Sequence, residues 1–185
     1  MTGEVSLGDW AMRAARYVIR RQRADGSWAY GGDDHQSWAD SFHTAFVLAS
    51  LSRIIDAMRS EPGEVATGFL NEMDNSLSRG YEFWKDHFFL DDGWPKYYPD
   101  RLYPADAHSA AAAIVTLVEV RGRIPGTMIL ADRIAEWAIE NLGDRRGYFH
   151  YQRRRLYTVR IPYMRWSGAW MAYALARLLE GKTKK

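Results

Sequence analysis

The sequence predicts an all-α fold of six principal helices, arranged as three copies of a helix–loop–helix unit. Segments with amphipathic helical periodicity alternate with segments that are apolar nearly all round. A helix that is apolar on every side must be buried, so we expect the apolar segments to form an inner layer and the amphipathic ones to wrap around it. The amphipathic segments lie near residues 9–23, 66–89 and 127–142, and the apolar ones near 38–58, 105–121 and 163–179.

Three loops share one residue layout, which is the second sign of a repeat. Each has a Gly, an aromatic residue one or two positions later and a Tyr four positions after the Gly, at residues 25–30, 92–97 and 146–151. The separations of 67 and 54 residues between these glycines require insertions between copies. The sequence therefore predicts one domain over residues 1–185, with repeats at about 9–60, 64–122 and 125–180.

Each loop is followed by a polar start to an apolar helix. We expect His43 and His108 to occupy matching places at these helix ends, each with an upstream carboxylate at Asp40 or Asp106. Aligned on the Leu that follows, Ser167 takes the place of His43 in the third copy.

Composition limits the classes of protein. With 185 residues, 47% hydrophobic and 26% charged, the chain is long enough for one globular core. The sequence has no Cys, which excludes disulfides, thiolate nucleophiles and Cys-based zinc sites and suits a reducing cytoplasm, where we expect the protein. The longest apolar run, residues 110–118, is too short for a membrane span, which needs about 20 residues.

Charge is unevenly distributed although the net charge is only +2. Residues 143–185 carry eleven Lys and Arg against two acidic residues, so an anionic partner is expected on that side. A basic strip interleaved with aromatic residues can fit single-stranded nucleic acid. The near-neutral chain and the lack of a nucleic-acid-binding motif argue against that partner.

Gln22, Gly26 and Trp28 carry a first resemblance. Their spacing resembles the QW repeat of squalene and oxidosqualene cyclases. This resemblance implies an α/α toroid in which the Gln and the Trp tie adjacent helix ends together. The cyclase chemistry does not follow, because the acidic D-x-D-D motif is absent, so a terpenoid-cyclase-like function is the least favoured.

A second resemblance covers residues 10–180. The patterns DGSW-Y, D-x-x-HTA, DDG-x-x-KYY, YP-x-D-x-HSA and IPYMRW are similar to those of uncharacterised α/α-toroid proteins from bacterial polysaccharide programmes. They are more loosely similar to the helical domain of glucuronyl C5-epimerases. The resemblance implies a glycan-related role and a fold in which three helical hairpins form part of an α/α toroid. Such toroids close with about five to seven hairpins. We therefore expect a homo-oligomer, a partner domain that completes the toroid, or a chain that is the C-terminal part of a longer toroid.

His43 and His108 are the first candidate catalytic residues. A His beside a carboxylate can serve as general base or acid near neutral pH, and we expect Asp40 and Asp106 to bind the substrate. The alternative is a repeated structural hydrogen bond at the helix end, since scaffolding repeats whereas sites are usually unique.

Tyr98 and Tyr103 are the next candidates, Tyr98 as a catalytic residue and Tyr103 as a sugar-binding one. Tyr rings stack on sugar faces and their hydroxyl groups bond sugar oxygens. Tyr97 recurs as Tyr30 and Tyr151, so we expect it to be structural, whereas Tyr98 and Tyr103 do not recur. Packing against the neighbouring copy is the alternative for all of them.

A third cluster lies in the basic segment. We expect it to bind an anionic group, because the planar fork of Arg contacts carboxylates at two points. Its members are Arg155, Tyr157, Arg160, Tyr163, Arg165 and Trp166. The alternative is that these Arg residues pair with carboxylates of neighbouring loops at Asp33, Asp34, Asp91 or Asp92. Adjacent Asp residues in such loops usually form turns, so no metal and no cofactor is expected.

These candidates favour a carbohydrate-active protein that acts on an acidic, uronate-containing glycan as an epimerase, lyase or hydrolase. In an epimerase or lyase a base removes the proton α to the uronate carboxylate while Arg neutralises the developing charge. The alternative is a non-catalytic helical module that binds glycan or a partner protein.

Overall fold

The computed structural model describes residues 7–60 and 67–183 and confirms an all-α fold of six helices. The helices are α1 (Leu7–Arg20), α2 (Ser41–Ser60), α3 (Thr67–Phe88), α4 (Ala107–Glu119), α5 (Thr127–Leu142) and α6 (Ala169–Thr183). A π-helical turn, Met164–Gly168, leads directly into α6, and 3-10 turns lie at Asp34–Gln36 and Val120–Gly122. A small antiparallel sheet joins β1 (Ala105–Asp106), β2 (Gln152–Arg153) and β3 (Thr158–Val159) in that order.

The three apolar helices α2, α4 and α6 run parallel in the inner layer. At their amino ends the rings of Phe42, His108 and Trp170 contact one another. At their carboxyl ends Glu119 of α4 accepts hydrogen bonds from Arg53 of α2 and from an Arg of α6. Helix α4 is central because its alanine-rich surface lets α2, α5 and α6 approach closely, and eleven of its thirteen residues are buried.

The outer helices pack mainly on the inner helix of the preceding copy. Helix α3 covers α2, and helix α5 covers α4. The indole of Trp84 in α3 donates to the carbonyl and the hydroxyl of Ser41 at the start of α2, both at 3.1 Å. Gly80 lets α3 pack closely against the first loop, because a Cβ at that position would overlap the ring of Trp28. The copies are therefore interlocked rather than stacked as separate hairpins.

The three Gly loops have the same backbone turn. Gly26, Gly93 and Gly147 have φ of 92°, 87° and 88°, and each donates its amide to the carbonyl three residues earlier. A side chain would strain the backbone in this left-handed region. Gly26 and Gly93 also lie directly against the carbonyl groups of Arg79 in α3 and Arg133 in α5. At these two loops, space as well as conformation requires glycine.

The loops lie at the amino ends of the inner helices. The amide of Ser41 donates to the carbonyl of Tyr97, and the amide of Ala107 donates to that of Tyr151, both at 3.0 Å. The repeated Tyr of one loop is thereby held on the start of the preceding copy's inner helix. This connection brings the side chains of the loops and of the helix starts to one face.

The Gln of the first loop bonds the loop to α3, and the Trp bonds it back to α1. The Gln22 amide donates to the carbonyl of Gly26 at 3.0 Å and to that of Ser76 in α3 at 2.8 Å. It also accepts from the Ser76 hydroxyl at 2.9 Å. The Trp28 indole donates to the carbonyl of Val18 at 3.0 Å.

Replacing Gly93 with Ala tests the close packing of loop and helix. Gly126 is the matched control, because its φ of 82° is similar but a Cβ there would meet nothing within 4 Å. Gly126→Ala should cost about 1–2 kcal/mol of unfolding free energy through left-handed strain alone. Gly93→Ala should cost about 1–3 kcal/mol more, because the Arg133 carbonyl must move. Urea unfolding measures both, and equal losses would contradict the packing.

Candidate functional site

Titratable and aromatic side chains meet where the inner helices begin. We call this surface the helix-end face and define it by Tyr30, Asp40, His43, Tyr97, Asp106, His108, Tyr151, Tyr163, Trp166 and Trp170. Its rings form two contacting groups, one that runs from Tyr30 and His43 through Phe42 to His108 and Trp170, and one of Tyr151, Tyr163 and Trp166. The face contains several of the residues that the sequence predicts and some that it does not.

The two histidines are not equivalent, contrary to the expectation from sequence. The Asp40 carboxylate caps α2 by accepting from the amide of His43 at 2.8 Å. The Asp106 carboxylate caps α4 by accepting from the amide of Ser109 at 2.7 Å. His43 therefore matches Ser109, and His108 matches the residue before His43. The prediction failed because it aligned residue types rather than the capping position, which the geometry of a helix start determines.

The third copy also differs in register from the expected one. Ser167 bonds the carbonyl of Tyr163 through its amide at 2.9 Å and its hydroxyl at 2.8 Å. Thr44 makes the same pair of bonds to the carbonyl of Asp40. Ser167 therefore matches Thr44 and not His43. Trp166 takes the place of His43, and Tyr163 takes that of the capping Asp.

Asp40 and His43 form a carboxylate–imidazole pair at the edge of the face. Both carboxylate oxygens of buried Asp40 lie 2.9 Å from Nδ1 of His43, whose side chain is 47% exposed. The carboxylate accepts the Nδ1 hydrogen and leaves Nε2 as the nitrogen that can take a proton. The ring of Tyr30 meets the imidazole edge-on at 4.7 Å, beside a cavity of about 240 Å³. This pair can act as a general base.

His108 lies deeper, between aromatic rings. Its ring centroid is 3.9 Å from that of Phe42 and 5.1 Å from that of Trp170. Its Nε2 is buried and has no hydrogen-bond partner among the described residues. Burial, with a smaller effect of His43, lowers the pKa of His108 to about 4. His108 is therefore neutral at pH 7 and a weaker base than an exposed histidine.

Asp106 is a buried carboxyl group surrounded by hydroxyl-bearing rings. Burial raises its pKa to about 6, and the nearby Asp40 adds to the increase. Burial and these two carboxylates also raise the pKa of Tyr97, and burial and Asp106 raise that of Tyr151. Both phenols stay protonated and can donate hydrogen bonds at neutral pH. Tyr97, expected to be structural only, thus lies within the site, and the signal for it was the recurrence of the Tyr itself.

Tyr98 and Tyr103 lie outside the helix-end face. The Tyr98 ring meets that of Tyr97 at 4.7 Å, but it lies beneath the Arg101 guanidinium and lines a separate cavity of about 660 Å³. Tyr103 packs edge-on against Trp94, at 5.3 Å. The chain bends at Tyr97, and the Tyr98 ring is held beneath Arg101 beside the separate cavity, so only Tyr97 belongs to the helix-end face.

The basic strip, which we define by Arg155, Tyr157, Arg160 and Arg165, adjoins the helix-end face. Tyr151 contacts Tyr163 at 5.1 Å, and Tyr163 contacts Trp166 at 5.6 Å. Arg155 and Tyr157 lie in the exposed turn between β2 and β3, and Arg160 and Arg165 follow. Across residues 7–60 and 67–183, the guanidinium groups of Arg155, Arg160 and Arg165 make no hydrogen bond or ion pair. The alternative considered from the sequence, that these arginines pair with Asp33, Asp34, Asp91 or Asp92, is not seen within those ranges.

Other observations limit the chemistry. Within the described ranges no three His, Asp or Glu residues are placed to hold a metal ion. None of the helices described is both long and apolar enough to cross a membrane. No protein-family model, curated protein or solved structure matches this chain.

The pH dependence of stability should reveal two opposing buried groups. Between pH 6.5 and 4 the unfolded chain protonates His108 before the folded one does, so this group lowers stability as the pH falls. Between pH 6 and 3.8 the folded chain protonates Asp106 first, so this group raises stability as the pH falls.

Single substitutions should separate the two effects. In Asp106→Asn, which keeps a capping oxygen, stability should fall more steeply than in the unmodified protein as the pH drops from 6.5 to 4. In His108→Phe, which copies Phe42 of the first repeat, stability should rise over the same interval. Urea unfolding at four pH values measures both, and parallel curves for the three proteins would contradict the assignment.

Proposed function

We propose that the helix-end face and the adjoining basic strip bind an acidic sugar, and that His43 removes a proton from it. The observation that carries this proposal is the presence of three unpaired guanidinium groups beside exposed aromatic rings. The substrate class is a uronate-containing glycan, and the reaction class is proton abstraction α to the uronate carboxylate.

The binding part of the proposal depends on the strip. Arg160 and Arg165 have no carboxylate partner among the described residues, so an incoming carboxylate would not have to displace one. Tyr157 and Trp166 are 59% and 52% exposed, and such rings stack on the apolar faces of sugars. Charge and ring surface together favour an acidic sugar over a bare inorganic anion.

The catalytic part depends on the His43–Asp40 pair. The proton on the carbon α to the carboxylate would pass to Nε2 of His43, and Asp40 would stabilise the imidazolium that forms. An Arg of the strip would neutralise the charge that develops on the carboxylate. The protonated hydroxyl of Tyr97 or Tyr151 could return a proton to the carbanion, which would give epimerisation.

A non-catalytic glycan-binding module is the second candidate. It is favoured by the shape of the surface, because the cavity beside His43 is small and the strip is exposed rather than enclosed. Enzymes usually exclude water from a reacting carbanion. Binding without turnover would identify this function.

A partner completing the toroid and a cytoplasmic location also belong to the proposal. The first follows from the three-hairpin fold and the second from the cysteine-free composition. Neither affects the argument for the sugar site.

Arg165→Ala should weaken the binding of a uronate oligosaccharide at least about tenfold, because a charge-assisted contact of about 1.5–3 kcal/mol is lost. A neutral oligosaccharide of equal length should be much less affected. Arg121→Ala is the matched control, since it removes the same charge at the opposite end of α4. Calorimetry at two salt concentrations measures the affinities, and added salt should reproduce part of the loss. Equal losses for acidic and neutral sugars would refute the carboxylate contact.

His43→Gln should abolish exchange of the uronate C5 hydrogen with solvent deuterium while leaving sugar affinity within about twofold. The substitution removes the base but none of the Arg contacts. His35→Gln, in the 3-10 turn, is the control and should exchange normally. Mass spectrometry of the recovered sugar measures the exchange. Binding without exchange in the unmodified protein would leave the binding module as the function.

A further inference from the structure

We infer that two chains dock head to tail, with α1 of each chain against α6 of the other, and that they close a ring of six hairpins. The inference stands independently of the proposed function. Each contact between repeats inside the chain is compared with the two flanks, at α1 and α6, where residues 7–60 and 67–183 supply no neighbour.

Helix α1 exposes the face that α3 and α5 bury. Counted from the loop glycines, Trp10 matches Leu77 and Ala131, Ala14 matches Tyr81 and Ala135, and Tyr17 matches Trp84 and Ala138. All six matched residues of α3 and α5 are at most 4% exposed, in contact with the inner layer. Trp10 and Tyr17 are 60% and 61% exposed. Helix α1 thus has a packing surface that no inner helix within the described ranges occupies.

Helix α6 exposes the complementary face. Counted from the helix starts, Met164 matches Ser41 and Ala107, and Ala172 matches Ala49 and Val115. The matched residues of α2 and α4 are all buried. Met164 is 78% exposed, and Ala172 is also exposed. In the first repeat the hydroxyl of Ser41 accepts a hydrogen bond from the indole of Trp84. The counterpart of Trp84 in α1 is Tyr17. Met164 therefore marks the place where Tyr17 of a second copy fits.

The third glycine loop lacks its neighbour. Gly26 and Gly93 lie against the backbone carbonyls of Arg79 and Arg133, which are equivalent positions of α3 and α5. A Cβ at Gly147, in the same turn, would meet nothing within 4 Å. The position in α1 that matches Arg79 and Arg133 is Met12, so α1 of a second copy would occupy this space.

One repeated hydrogen bond also has both halves free. The amides of Ser41 and Ala107 donate to the carbonyls of Tyr97 and Tyr151. The next pair in the series is the amide of Met164 and the carbonyl of Tyr30. Among the described residues, neither group has a backbone partner. A second copy would supply Tyr30 to the amide of Met164.

The same interface formed twice gives a closed ring. A head-to-tail contact generates a closed ring when its rotation closes and an open filament when it does not. Two chains of three hairpins give six. The second chain would bring its Tyr30 beside Tyr163 of the first chain. Within one chain, Tyr97 and Tyr151 lie in the same way beside Asp40 and Asp106. Each helix-end face is then completed by a residue of the partner.

Light scattering during size-exclusion chromatography tests the inference directly. The expected mass is twice the chain mass of 21.3 kDa. Trp10→Asp, Tyr17→Asp and Met164→Asp should each raise the dimer dissociation constant at least about tenfold, since each places a charge in an apolar contact. These residues are exposed within one chain, so circular dichroism should show unchanged helicity.

Two further variants keep the test specific. Ile139→Asp is the control, because Ile139 is 52% exposed and matches the exposed Lys85 of α3, away from either flank. It should leave the dimer intact. Gly147→Ala should also weaken the dimer, since α1 of the partner would lie where the Cβ points, as Arg133 does at Gly93.

Cross-linking tests closure. The chain has no Cys, so Tyr17→Cys combined with Met164→Cys and a short bis-maleimide should give covalent dimers, and neither single variant should. A monomer at all concentrations, a dimer as sensitive to Ile139→Asp as to Trp10→Asp, or a ladder of higher oligomers would overturn the inference. Loss of the dimer with sugar binding retained would leave the proposed function standing.

Discussion

The contact between a glycine turn and the next outer helix is the constraint on which the rest of this structure depends. Gly26 and Gly93 have a left-handed conformation and lie against backbone carbonyls, so both loops are fixed relative to the helices beside them. The fixed turn at Gly93 places Tyr97, whose carbonyl accepts the first amide of α2. The helix-end face is a consequence of this backbone arrangement.

Buried carboxylates at the helix starts combine structural and electrostatic roles. Asp40 and Asp106 each satisfy an amide in the first turn of an inner helix, which favours a carboxylate there. The same burial makes ionisation of Asp106 unfavourable and raises its pKa. Asp40 also bonds the ring of His43, whereas no imidazole, Lys or Arg bonds Asp106 among the described residues. The repeat therefore yields two similar caps with different chemistry. The difference lies in the third residue after each capping Asp, which is His43 in one repeat and Ser109 in the next.

The basic strip shows how the same segment has a different role in the third repeat than in the first two. In the first two copies the residues before the inner helix include a capping Asp, whereas the third copy has Tyr163 there and a π-helical turn. Without a carboxylate at the cap, this part of the face is positively charged and rich in exposed rings. Its guanidinium groups have no partner among the described residues, so their charge is available to a ligand rather than used within the fold.

The sequence by itself determined the six helices, their inner and outer character and the three loops, because helical periodicity and glycine turns are local properties. It also identified Asp40, His43 and the unpaired arginines as side chains of the face or its border. The spacing of each Asp from its His already carried the register that separates His43 from His108, because each cap spans three residues of one copy. Only the tertiary structure decided which loop faces which helix start, and that Tyr97 rather than Tyr98 belongs to the face. The amide–carbonyl contacts that decide this join residues from different copies, and residue spacing along one copy cannot reveal them.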